Sequence, residues 1–261
     1  MHSERYPENL GFRAGNKGTH TSRTLMLDEL RLLIAAVPPD GSRADYLSAG
    51  VEHNVLGKQT VATRKLTVQR ISELYALDPS VPLFRVLRFV WFQETEGRPL
   101  LALLCAMARD PLLRACAGAV LGMRVGEELS RQTISDALRS VVVDRLNDST
   151  LDKVVRNVSS SWCQSGHLEG RVRKFRRQVR PTPGATVYAL VLGYLQGLRG
   201  ARLLASEWIQ VLDVNPDELR QLVMEARRRG LLDLKIAGEI IEIGFSTLLT
   251  TKEILNSRGT H

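Results

Sequence analysis

The stretch Leu100 to Gly122, LLALLCAMARDPLLRACAGAVLG, is the most membrane-like in the chain, and the way it is interrupted constrains the fold more than any other feature. Arg109, Asp110, Pro111 and Arg114 cut it into two pieces, each well short of the ~20 apolar residues a bilayer span requires. Helices that are apolar on every side have one stable place in water, the centre of a protein with other helices laid around them. The spacing therefore predicts a mainly α protein with no membrane span.

The flanking sequence supplies those helices. Leu25 to Ala36 carries Leu25, Leu32 and Leu33 at helical spacing and stops at Pro38-Pro39. Ser42 suits the N-cap of a second helix ending near His53, Asn54 to Gly57 reads as a turn, and a third helix runs from about Thr60 to Ala76, which together give a helix-turn-helix spacing. Further helices are predicted over Leu83 to Phe92, Ser130 to Leu146 and Ser149 to Gln164, the last two opened by capping serines. Twice a helix then ends at glycine and a hairpin follows, which is the order of a winged helix. The first instance is Gly166, with Leu168, a Glu169-Gly170 turn, and Val172, Phe175 and Val179 beyond it. The second is Gly230, after a helix started by Asn215, Pro216 and Glu218 and before strands Leu231 to Lys235 and Ile240 to Phe245.

The expected fold is thus mainly α, with tandem helix-turn-helix or winged-helix-like units and short β-hairpins. Four parts are expected: a flexible arm over 1–21, an N-terminal helical unit over 22–95, a central unit with an Arg-rich wing over 96–184, and a C-terminal winged-helix-like unit over 185–261. Between the two hairpins Ala189, Gly193 and Gly197 recur every four residues, a flat ridge suited to close approach of another helix within the molecule.

Charge is concentrated in one place. The chain has a net charge of +8, and Arg171, Arg173, Lys174, Arg176, Arg177 and Arg180 lie within ten positions with no acid among them. A run of one sign, rich in arginine and interleaved with Val172, Phe175 and Val179 as anchors, is the footprint of a phosphate-binding surface. Six phosphate contacts would give a log–log salt slope of about −5. A wing of this kind carries little core, so its cations are expected to be replaceable without loss of stability. Arg227 and Arg228 form a second basic patch, and Thr63, Arg64, Lys65 and Arg70 a third, while Gln164 and His167 stand close enough to the wing to touch a sugar-phosphate backbone.

Other chemistry is poorly supported. Gly50 to Thr60 has the wrong spacing for a phosphate loop and puts Gln59 where a hydroxyl is needed. Cys163 and His167 make at most half a zinc site. Pro216-Asp217 with Asp233-Leu234-Lys235 spells the string of a magnesium-dependent nuclease, but Pro216-Asp217 opens a helix instead of ending a strand. No catalytic residue, cofactor or metal is expected. His20, His53 and His167 read as structural or solvated, and the few cysteines, Cys105, Cys116 and Cys163, fit a reducing cytoplasm.

The segments NVLGKQTVATRKLTVQRISELYALDPSVPLFRVLRFVW, SSSWCQSGHLEGRVRKFRRQV and YALVLGYLQGLRG resemble the BrxA-like family of bacterial BREX phage-defence systems, over about Ser22 to Leu249. That resemblance implies a small, mainly helical DNA-binding protein without known enzymatic activity, encoded beside a DNA methyltransferase and other defence proteins that are candidate partners. The combined expectation is a non-enzymatic protein that grips double-stranded DNA through its phosphates. The alternatives are an RNA-binding helical factor and the magnesium-dependent nuclease.

Overall fold

Proline and short polar side chains set most of the helix boundaries in this chain. The computed structural model describes residues 6–142, 146–238 and 240–257. Leu27–Ala36 forms α1, Arg43–Val51 α2 and Val61–Tyr75 α3. Ser42 and Asp45 close a capping box at the start of α2, and Thr60 Oγ1 accepts the Thr63 N–H at 3.1 Å at the start of α3. Prolines sit in the first turns of α4 (Pro82–Gln93) and α5 (Arg98–Arg109), where a missing N–H costs nothing. Asp110 ends α5 and caps the short α6 (Pro111–Ala115), and α7 (Ala117–Leu121) follows. After α8 (Arg131–Val142) comes α9 (Asp148–Gln164), capped by the Asn147 side chain and not by Ser149. Leu168–Glu169 (β1) and Phe175–Arg176 (β2) form the first hairpin. Then come α10 (Pro183–Leu195), α11 (Gly200–Leu204), α12 (Glu207–Gln210) and α13 (Pro216–Arg228), the last opened by the predicted Asn215–Glu218 capping box. Asp233–Ala237 (β3) pairs with Ile240–Gly244 (β4) in the second antiparallel hairpin, and α14 is Thr251–Ser257. The architecture is mainly helical with two small two-stranded hairpins.

The apolar stretch sits where its composition demands. Leu100 to Ala108 of α5 are all buried, and so is every residue of α10 from Gly184 to Leu195. α10 packs on α4 and α5 and also on α12, α13 and α14, so buried side chains from Leu10 to Leu249 form one connected core. The small-residue ridge is used at Gly193, where a Cβ would stand 2.8 Å from Leu203 Cδ1; Gly197 lies beyond the helix end. Among the described residues no helix is long and apolar enough to cross a membrane.

The N-terminal segment departs from expectation. Composition reads 1–21 as a flexible arm, yet within it Leu10 and Phe12 are buried and the Arg13 N–H donates to Ala108 O at 3.0 Å. His20 is fully buried, with Nδ1 2.8 Å from Asp110 Oδ2 and Nε2 2.8 Å from Ser161 Oγ. Burial alone would raise the Asp110 pKa, but the charge and hydrogen bonds of His20, helped by the Leu113 N–H, hold it below the usual carboxylate value. The three side chains have the order of a catalytic triad. Ser161, however, is fully buried within α9 and donates to Asn157 O at 2.8 Å, so the constellation clamps the N-terminal segment and the α5–α6 junction onto α9.

Candidate nucleic-acid interface

Gly166 ends α9 and the chain reverses into the first hairpin, with Leu168 opposite Arg176 and Glu169 opposite Phe175. Gly170 makes the turn possible: its φ is +109°, and a Cβ there would overlap the Arg173 carbonyl oxygen. The hairpin is not a free wing. Its outer edge is covered by residues 126–129, through Leu129 N–H to Lys174 O at 2.7 Å, Arg176 N–H to Glu127 O at 2.8 Å and Gly126 N–H to Arg176 O at 2.8 Å.

That extra strand-like segment changes the meaning of the basic run. Arg173 forks onto Glu128, with Nε donating to Oε1 at 2.8 Å and Nη2 to Oε2, and lies over the Phe175 ring. The hydrogen bond from Arg173 holds the Glu128 carboxyl below its ordinary pKa. Arg177 Nε is 3.2 Å from Glu169 Oε2. Lys174 Nζ donates to Arg171 O at 2.9 Å and has no carboxylate partner among the described residues, nor do the exposed Arg171 and Arg180.

Arg176 must be corrected outright. It is 1% exposed, its Nη2 stands 2.9 Å from Asp213 Oδ2, and Nε donates to Val120 O at 3.1 Å while Nη1 faces the carbonyls of His167 and Arg177. It pairs in register with the buried Leu168, so it points into the core and cannot meet a phosphate. Val172, expected as an anchor, is 92% exposed, whereas Val179 is buried.

Gln164 and His167 are likewise structural. Gln164 Oε1 accepts the Leu27 N–H at 3.3 Å and its Nε2 donates to Thr24 Oγ1 at 3.1 Å. His167 is fully buried, with Nε2 donating to Val211 O at 2.8 Å and Nδ1 2.9 Å from Ser165 Oγ. Burial drives its pKa down to about 4, so the ring is neutral at pH 7. Both ring nitrogens are taken, which also removes the half zinc site with Cys163.

The other patches divide in the same way. On α13, Leu219, Val223 and Ala226 face the core, while Arg220, Gln221, Arg227 and Arg228 are exposed. Arg228 pairs with Glu225, which also holds Arg229 at 2.9 Å, and Arg227 has no carboxylate partner among the described residues. On α3, Arg64 ties down the preceding turn through Lys58 O at 3.1 Å and Val51 O at 3.4 Å, and Arg70 pairs with Glu73 at 2.8 Å. Only Thr63 and Lys65 of that patch stay exposed, with Thr63 Oγ1 2.8 Å from Thr60 Oγ1.

What the tertiary structure brings together is the first patch and the second. A groove of about 810 Å³ runs between the 177–183 segment and α13, lined by Arg177, Arg180, Gln221 and Arg228 together with Glu218 and Glu225. The α3 residues do not line it. For the nuclease reading, Asp217 sits in the first turn of α13, and the Asp233 carboxylate accepts from Ser246 Oγ and, at 3.4 Å, from the Ser246 N–H. No group of three or more His, Cys, Asp or Glu side chains able to hold a metal ion occurs among the described residues. The chain matches no known family model and no curated protein.

Proposed function

We propose that this chain is a non-enzymatic protein that binds double-stranded DNA through its phosphates, along the groove between α13 and the 177–183 segment that follows the first hairpin. One observation carries the reading: Arg177 and Arg180 from the basic run and Arg228 from α13 converge on a single groove, Arg177 and Arg228 in exposed ion pairs that phosphates can displace and Arg180 with no carboxylate partner among the described residues. Exposed Arg171 and half-buried Lys174 extend the cationic track at the hairpin, and exposed Arg227 extends it along α13. Contacts of this kind position a protein on DNA without reading its sequence. The helix-then-hairpin order, met at α9 with the first hairpin and at α13 with the second, supports tandem winged-helix-like units. They differ in use: α9 buries Leu151, Val154, Val158 and Trp162 along its length and is half-buried at its hairpin end, whereas α13 offers a polar, exposed face up to Arg228. The resemblance to the BrxA-like family points the same way and sets the protein in an anti-phage BREX-type system of the bacterial cytoplasm, beside a DNA methyltransferase.

The test is fluorescence anisotropy with a labelled DNA duplex, the single strand and an RNA duplex. Changing Arg171, Lys174 and Arg180 together to Ala is expected to weaken duplex DNA binding by about tenfold or more, from three lost phosphate contacts, without lowering the melting temperature. Unchanged binding refutes the site, and tighter binding of RNA in direct competition favours the RNA-binding alternative.

A further inference from the structure

α13 serves two grooves, and the DNA reading uses only one. On its other side, Leu219, Val223 and Met224 face the second hairpin across an open gap. Strand alternation puts Leu234 and Ile236 of β3 on one face with their register partners Ile243 and Ile241 of β4, and this face is turned toward the same gap. Leu204 and Ile209 complete the wall. The half-open space is about 660 Å³, inside the range of roughly 300–1,000 Å³ typical of small-molecule sites. Two of its apolar side chains remain open to water, Ile236 at 62% and Met224 at 39%. A hairpin that packed directly on α13 would have covered them.

The polar lining is sparse and of one sign. Among the described residues Arg220 is the sole charged one of the wall, and Gln210 is an uncharged polar one. Unlike Arg228, Arg220 has no carboxylate partner among the described residues. An apolar wall penalises any ligand with several charges, because each must shed its water without a counter-charge. A wholly apolar ligand would leave the guanidinium unused.

We propose that this cavity binds a free lipophilic monoanion, an alkyl chain with a carboxylate head, with the chain against the hairpin face and the head at Arg220. The apolar side chains of the wall suit an alkyl chain, and Arg220 can take a carboxylate with two parallel N–H donors. This site lies across α13 from the DNA-binding groove, shares only Val214 with it among the described residues, and does not depend on that reading.

The experiment is isothermal titration calorimetry of the full chain with decanoate, below its micellar concentration, beside octanoate, decanol and decyltrimethylammonium. Saturable 1:1 binding of decanoate is expected, about tenfold tighter than octanoate for two added methylenes. Arg220→Gln should weaken decanoate about tenfold through loss of a charge-assisted pair and leave decanol unchanged. Ala201→Phe, placed in the wall from the exposed side of α11, should abolish both; Ile236→Ser, at an exposed position, gives the same test should that variant fail to fold. Absence of saturable binding overturns the proposal. So does equal affinity for decyltrimethylammonium, full binding by the wall variants, or uptake of an acid-flanked amphipathic helical peptide in preference to decanoate.

Discussion

Removing the acids that pair with the first hairpin's arginines should strengthen its hold on DNA, and the gain can be worked out from the ion pairs. Of the six cations in the run, Arg176 is buried, Arg173 is held by Glu128 and Arg177 by Glu169, leaving Arg171, Lys174 and Arg180 without a carboxylate among the described residues. Three phosphate contacts contribute about −2.7 to the slope of log K against log salt, at −0.9 per contact, about half of what the bare sequence implies. The double variant Glu128→Gln, Glu169→Gln releases two more cations, so the slope should steepen by about −1.8 relative to the parent. Between roughly 200 and 50 mM NaCl, that difference makes the variant's advantage grow about tenfold. Both pairs are solvent-exposed, so the melting temperature should hardly move. Anisotropy titrations of a labelled duplex over that salt range measure the slope directly. The difference between the two proteins is the informative quantity, because α13 adds its own contacts to both. A double variant whose slope equals the parent's would refute the reasoning, since either the hairpin does not face phosphates or the carboxylates do not compete with them.

Three further outcomes follow from the buried groups. Arg176→Ala should destabilise the fold by about 3–5 kcal/mol in urea titrations, because it leaves Asp213 without its cation and withdraws a buried guanidinium from the carbonyls of Val120, His167 and Arg177, whereas a phosphate-facing arginine would lower DNA affinity and leave stability alone. His167 has its folded pKa lowered to about 4 from 6.5, so the unfolded chain binds the extra proton between those values; stability should fall by about 3 kcal/mol as pH drops through that window, and His167→Gln should flatten this part of the profile. Asp110→Ala removes both the partner of His20 and the cap of α6, and should cost about 3–5 kcal/mol by chemical denaturation; a loss below about 1 kcal/mol would mean that the buried clamp is not needed to hold residues 6–21 in place.

The two kinds of information in this molecule separate cleanly by range. Ser42, Thr60, Asn215 and the prolines at the starts of α4, α5, α10 and α13 act within four residues of themselves, through hydrogen bonds and fixed dihedrals, so the longer helices and both hairpins were legible from the chain alone, and the short α11, α12 and α14 were not. The interrupted apolar stretch likewise told where the core would be, because a segment with no polar side has no other place. Whether a given arginine is a ligand-binding group or a structural one was not legible. Six adjacent cations look alike in sequence, but Glu128 comes from 45 positions before Arg173, and Asp213 stands 37 positions after Arg176. Register alone turned Arg176 inward. The His20–Asp110–Ser161 clamp and the groove shared by the hairpin and α13 are of the same kind, assembled from residues far apart in the chain. Coulomb attraction and desolvation depend on distance through space and on the dielectric around each charge, and both quantities come into existence only when the chain has folded.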